Sequence, residues 1–110
     1  MLSIADAGMA FRSTPLEPRP TFDRDMSDRE AAIMARHVSY WTRVIERGTA
    51  IVFGPVIDPA GTWGLAVVAA ETEDDVRRLG DEDPAVVSGV ARFEIRAMPG
   101  AIVGRGEAAA

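Results

Sequence analysis

An α+β fold is what this 110-residue sequence predicts, and three observations carry it. A capped amphipathic helix runs from Ser27. A hairpin is centred on "DPAG". A cleanly alternating strand, "ARFEIRAM", closes the ordered part. At this length the chain is expected to be one domain over residues 1–110, long enough to bury a core.

Each element can be justified in turn. "MAFRST" reads as a short first strand. "STPLEPRPTF" holds three prolines and reads as an extended connection, because proline biases its predecessor away from helix. "SDRE" has capping-box spacing, with Ser27 able to accept from the amide three residues on and Glu30 able to reach back. Ile33, His37, Tyr40, Trp41 and Val44 follow at steps of three and four, which makes one apolar stripe. Gly48 supplies the left-handed stop.

"TAIVFGPVI" and "TWGLAVVAA" read as paired strands. In the turn between them Pro59 presets the first angle, Asp58 bonds the turn amides and Gly61 takes the exit conformation. The Gly54–Pro55 pair interrupts the first of these strands and suggests a bulge or a close backbone approach there, or a plain edge irregularity. A second helix starts from Thr72 and runs through "EDDVRRLG". "DEDPAVVSG" then reads as a break and a short apolar turn. In the last strand Phe93, Ile95 and Ala97 share one face, opposite Arg92, Glu94 and Arg96. The tail, about residues 101–110, has little to bury and is expected to fray.

Strand, helix, strand, strand, helix, strand is the ferredoxin-like βαββαβ order: an antiparallel sheet with two helices on one face. In the third strand Trp63, Leu65, Val67 and Ala69 point one way and Gly64, Ala66, Val68 and Ala70 the other, so both faces are apolar. Two helices cover one face. A homodimer through the other is therefore the expected partner, with tolerance of small side chains for solvent as the blander account.

The net charge is -5 and the arginines are scattered singly, which disfavours nucleic acid as a partner. There is no cysteine, so disulfides, thiolate nucleophiles and the common zinc motifs are excluded. "MLSIADAGMA" lacks the basic region and hydrophobic run of a secretory leader, and no apolar stretch is long enough to span a bilayer. The expectations are a cytoplasmic protein and no membrane partner.

His37 is the one histidine. On spacing alone a satisfied core histidine is the commoner outcome, because the residue shares its stripe with Ile33 and Trp41. A proton-transfer role needs a second group that fixes the tautomer and a cavity at the free nitrogen. Asp83 is the candidate for that group, since Pro84 forces it out of helical geometry. Periodicity alone does not separate it from the neighbouring acids. "DED" has hard-cation ligand chemistry, but acidic turns are common and no metal is assigned. Phe53 and Trp63 read as core or as cavity wall. No GxGxxG or P-loop pattern supports a nucleotide, and no cofactor is expected.

The run "RPTF … MSDREAAIMARHVSYW … ERG … VFGPVIDPAGTWGLAVV … DEDPAVVSG … F", over about residues 17 to 98, resembles the YCII-related family. The combination of a helical His, "FGPV" and "DP" before the last strand is what makes the resemblance specific. It implies a ferredoxin-like protomer that forms a dimeric α+β barrel, and a pocket with a histidine–aspartate pair falling on His37 and Asp83. The first strand departs from the pattern, "ADAGMAFRST" being less apolar than the family's usual. A few relatives are associated with lyase or dehydrochlorinase steps on ring compounds.

With the resemblance added, the expected function is His37/Asp83 acid–base chemistry of lyase, dehydrohalogenase or isomerase type on a small organic substrate. Phe53, Gly54, Pro55 and Trp63 would line the substrate site. The rival is a non-catalytic dimeric module that holds a small ligand unchanged.

Overall fold

The first strand is longer than its sequence suggests, and it holds the middle of the sheet. The computed structural model describes residues 3–17 and 19–104. A short helix α1 (Ile4–Ala7) precedes β1 (Gly8–Pro15). The helical turn α2 (Phe22–Asp25) leads into α3 (Asp28–Glu46), and then come β2 (Ala50–Val56), β3 (Trp63–Ala69), α4 (Glu73–Asp81), α5 (Pro84–Val87) and β4 (Ala91–Ala97). The sheet order is β2-β3-β1-β4 and every pairing is antiparallel. This is the ferredoxin-like arrangement.

Local chemistry explains most of these boundaries. Ser27 and Glu30 form both halves of the capping box at the start of α3. Gly48, at φ 79°, turns the chain out of that helix. In the hairpin Asp58 accepts from the Ala60 amide through its side chain at 2.8 Å, and Gly61 exits at φ 138°.

The helix-facing side of the sheet carries Phe11, Ala50, Ala66, Val68 and Ile95, packed against Trp41 and Val44 of α3 and Val76 of α4. Phe11 and Phe93 stack at 5.1 Å, and Phe11 meets Trp41 at 4.8 Å. Tyr40 ties α3 to α4 by donating to the Leu79 carbonyl at 2.7 Å. Burial pushes its phenol up to about 12, so it stays a neutral donor.

Three details differ from expectation. The proline-rich connection is not extended throughout: residues 13–15 belong to β1, the chain turns at Pro20 and Thr21, and its last residue, the buried Phe22, opens α2. The bulge lies at Ala50/Val52, while Gly54 and Pro55 stay in register with Leu65 and Gly64. Two successive residues, Ile51 and Val52, therefore face outward, and Pro55 is tolerated because β2 is an edge strand. Lastly, the outer face is partly covered by the chain itself: Ile4 of α1, with Met98 and Ala101, packs on Val67 and Ala69. Ala101 thus belongs to a cluster, whereas residues 105–110 of the expected frayed tail lie outside the described residues.

Arg19 fastens the segment before α3. Its guanidinium reaches Glu30 at 3.0 Å and Asp25 at 2.8 Å, and it lies over the Phe22 ring at 4.9 Å. The Arg19 hydrogen bond first, and the Ser27 amide second, hold the Glu30 carboxyl at about 2 against an ordinary 4.5. A depressed folded-state value means stability that is fully present above about 4.5 and lost as the pH falls towards 2. Urea titrations across that range are expected to show stability falling with acid, with a shallower fall in Glu30→Gln. An unchanged slope in the variant would remove Glu30 from the acid response.

Candidate active site

Asp83 follows Glu82, the C-cap of α4, and opens α5. Pro84 occupies the first position of α5, where its missing N–H costs nothing, and Asp83 is the N-cap, its Oδ1 accepting from the Ala85 amide at 2.9 Å. The same carboxylate is 0% exposed. It accepts the Trp41 indole N–H at 2.8 Å through Oδ2, and both of its oxygens lie 2.8 Å from His37 Nδ1.

The contacts of the carboxylate favour one placement of the imidazole proton. The indole and the amide are donors only, so the carboxylate acts as acceptor toward both. An ionised carboxylate can only accept from Nδ1 as well, so Nδ1 carries the hydrogen. In the neutral ring Nε2 is then the acceptor.

His37 is 3% exposed. Its Nε2 bonds to no group among the described residues, and none of their buried side-chain nitrogens or oxygens lacks a partner. Nε2 therefore keeps some exposure, and His37 lines a pocket of about 140 Å³. Met34 and Val38 of α3 stand beside the imidazole, Phe53, Gly54 and Pro55 of β2 form one side, and Val90 and Ala91 another. The end of β1 (Ser13, Thr14, Pro15) and the start of β3 supply the floor, and Phe22 of α2 closes a flank. The lining is mostly apolar. A dry cavity of roughly 150 Å³ accepts a benzene ring, so this partly open pocket has room for at least one six-membered ring.

Phe53 also fixes the imidazole from the side. Its ring meets His37 edge-on at 5.3 Å and stacks on Trp41 at 5.4 Å. Helix α3 thus presents His37 and, one turn on, Trp41 to the same carboxylate, an outcome of i, i+4 spacing.

Of the residues singled out from sequence, His37 and Asp83 are in direct contact, and Phe53, Gly54 and Pro55 line the pocket. Trp63 borders it too, but its ring is engaged elsewhere: Arg12 lies over it at 4.2 Å and Asp58 accepts a long hydrogen bond from its Nε1. Several lining residues escaped the sequence reading, and so did the third side chain of the carboxylate junction. Trp41 was legible only as core, although its spacing from His37 could have suggested a shared partner. Ser13, on the pocket floor, left no signal.

A ferredoxin-like sheet with an imidazole braced by a buried carboxylate at the mouth of an apolar hollow defines a class of small pocket-bearing α+β proteins. The chain belongs to the YCII-related family: the model for the YCII-related domain matches residues 17–99. Among solved structures it is similar to the 5-chloro-2-hydroxyhydroquinone dehydrochlorinase of Burkholderia phenoliruptrix AC1100, determined in complex with 2,5-dihydroxybenzoquinone. The identity is 18%, the TM-score 0.56, and the match covers 80% of this chain and 90% of that one. At that identity the likeness is one of fold. No curated protein sequence matches the chain. No helix among the described residues is long and apolar enough to cross a membrane.

Removing the carboxylate strands three donors in the interior, and each unmet buried group costs about 1–3 kcal/mol. Asp83→Ala is therefore expected to lose roughly 3 kcal/mol or more in urea unfolding. Trp41→Phe, which removes one donor and keeps an aromatic ring, should lose less. Equal losses in the two variants would mean that packing, not hydrogen bonding, holds this junction.

Proposed function

We propose that the protein is a small enzyme in which His37 is the general base and acid and Asp83 positions it. The reaction class is elimination or isomerisation on a ring-sized organic molecule. What carries the reading is one arrangement: His37 Nδ1 lies 2.8 Å from both oxygens of a buried carboxylate, and the same imidazole lines the pocket. Asp83 supports the imidazolium that forms when Nε2 takes a proton, and the apolar lining strengthens that support by keeping the local dielectric low. Phe53, Gly54 and Pro55 would hold the substrate against the imidazole.

In an elimination, Nε2 takes a proton from a hydroxyl or carbon of the substrate. The electron pair freed moves into a new double bond, and the leaving group departs as its anion. The imidazolium then gives its proton to water, so no electrons are exchanged with a cofactor. In an isomerisation the same proton returns at a different carbon. The dehydrochlorinase of similar fold makes chlorinated hydroquinones the natural first substrates to try.

The second part of the reading is self-association. Ile51 and Val52 are 49% and 46% exposed, side by side beyond the bulge on the outer face of the sheet. A second copy packed there would cover them, as the dimeric barrel of the family does. Sedimentation is expected to give a dimer, with Val52→Asp shifting it to monomer. A wild-type chain that sediments as a monomer at micromolar concentration overturns this part.

Chloride release from 5-chloro-2-hydroxyhydroquinone and related chlorinated hydroquinones tests the chemistry. His37→Ala is expected to lower turnover by about 10²–10⁴-fold with the fold intact by circular dichroism. Binding without turnover in the wild type would favour the non-catalytic module, and turnover indifferent to His37→Ala would overturn the mechanism.

A further inference from the structure

Ser13 is the feature of the pocket that the acid–base reading leaves unused. It sits on β1, one of the two interior strands, with the parity of Phe11, so its side chain lies on the helix-facing side of the sheet. It is 6% exposed, and its Oγ pairs with no group among the described residues. Since no buried side-chain oxygen among them lacks a partner, this hydroxyl keeps an opening, and Ser13 lines the same pocket as His37.

The residue across the ladder from Ser13 on β3 is Gly64. A Cβ there would stand 2.5 Å from Ser13 Oγ, well inside van der Waals contact. Within an otherwise β-branched and apolar strand, glycine is unfavourable for pairing and packs nothing. Here its missing side chain is what leaves the hydroxyl its room. A hydroxyl that keeps an opening and has no protein partner is free to bond a molecule in the pocket.

We propose that Ser13 is a positioning residue whose hydroxyl bonds an oxygen of the bound molecule, with Gly64 kept small for its sake. The pocket would then select a ring bearing two oxygen functions, one for His37 Nε2 and one for Ser13. The inference rests on the reading of this pocket as the substrate site and adds a second polar anchor to it. Ser13 orients the ring and exchanges no proton with it.

Calorimetric binding of phenol and hydroquinone, under argon, to the full chain separates the roles. The wild type is expected to bind hydroquinone roughly 3- to 10-fold more tightly than phenol, the contribution of one neutral hydrogen bond. Ser13→Ala should bring the two affinities together while unfolding at no lower urea concentration than the wild type. Ser13→Thr, which keeps a hydroxyl, should restore the preference, and Gly64→Ala should lose it. If the wild type binds both and Ser13→Ala keeps the preference, Ser13 is not an anchor and the pocket reading stands. If Ser13→Ala weakens both ligands equally, its role is packing and the proposal fails. If the wild type binds neither ring, the pocket reading falls together with this one.

Discussion

A single buried carboxylate joins the parts of this molecule that matter for its site. Asp83 takes N–H groups from two side chains of α3 and from the backbone of α5, so it fixes how those helices meet and how the imidazole is turned. Ile33 with Ala85 and Ala91 forms an apolar cluster at the same junction. The packing brings the elements close, and the hydrogen bonds select one arrangement from those that packing would tolerate. A carboxylate in this position is expensive to bury unless all its partners are present, which is why the site is assembled only in the complete fold.

The walls follow from the same economy. Trp41 and Phe53 are stacked in the core, and both then touch the histidine–aspartate pair, Trp41 through its indole N–H and Phe53 by its ring edge on the imidazole. Side chains that make the fold stable thereby hold the ring in one rotamer. On the other flank Phe22 is pinned under Arg19, whose partners Asp25 and Glu30 belong to two different helical segments.

Legibility in the sequence tracked the range of the interactions. The α3 stripe, its capping box and the Asp58 turn rest on contacts within a few residues, and each could be read directly. The fold order followed from them. Asp83 is 46 residues from His37, and its burial depends on where α5 lands, so periodicity ranked it with the solvent-facing acids around it. The resemblance, not the spacing, singled it out. Gly54–Pro55 is compatible in sequence with a bulge, a close approach or an edge irregularity, whereas the register shift falls at Ala50/Val52, since an edge strand admits proline without leaving register. Ser13 could not be read at all, since its meaning depends on the residue paired with it across the sheet.

Because the chain contains one histidine, and that ring lines the pocket, the molecule carries its own spectroscopic reporter. Every imidazole resonance in a nitrogen- or carbon-labelled sample originates at this one ring, without substitution or assignment by difference. Occupancy, tautomer and exchange with solvent can thus be followed at a single atom pair in the unaltered protein.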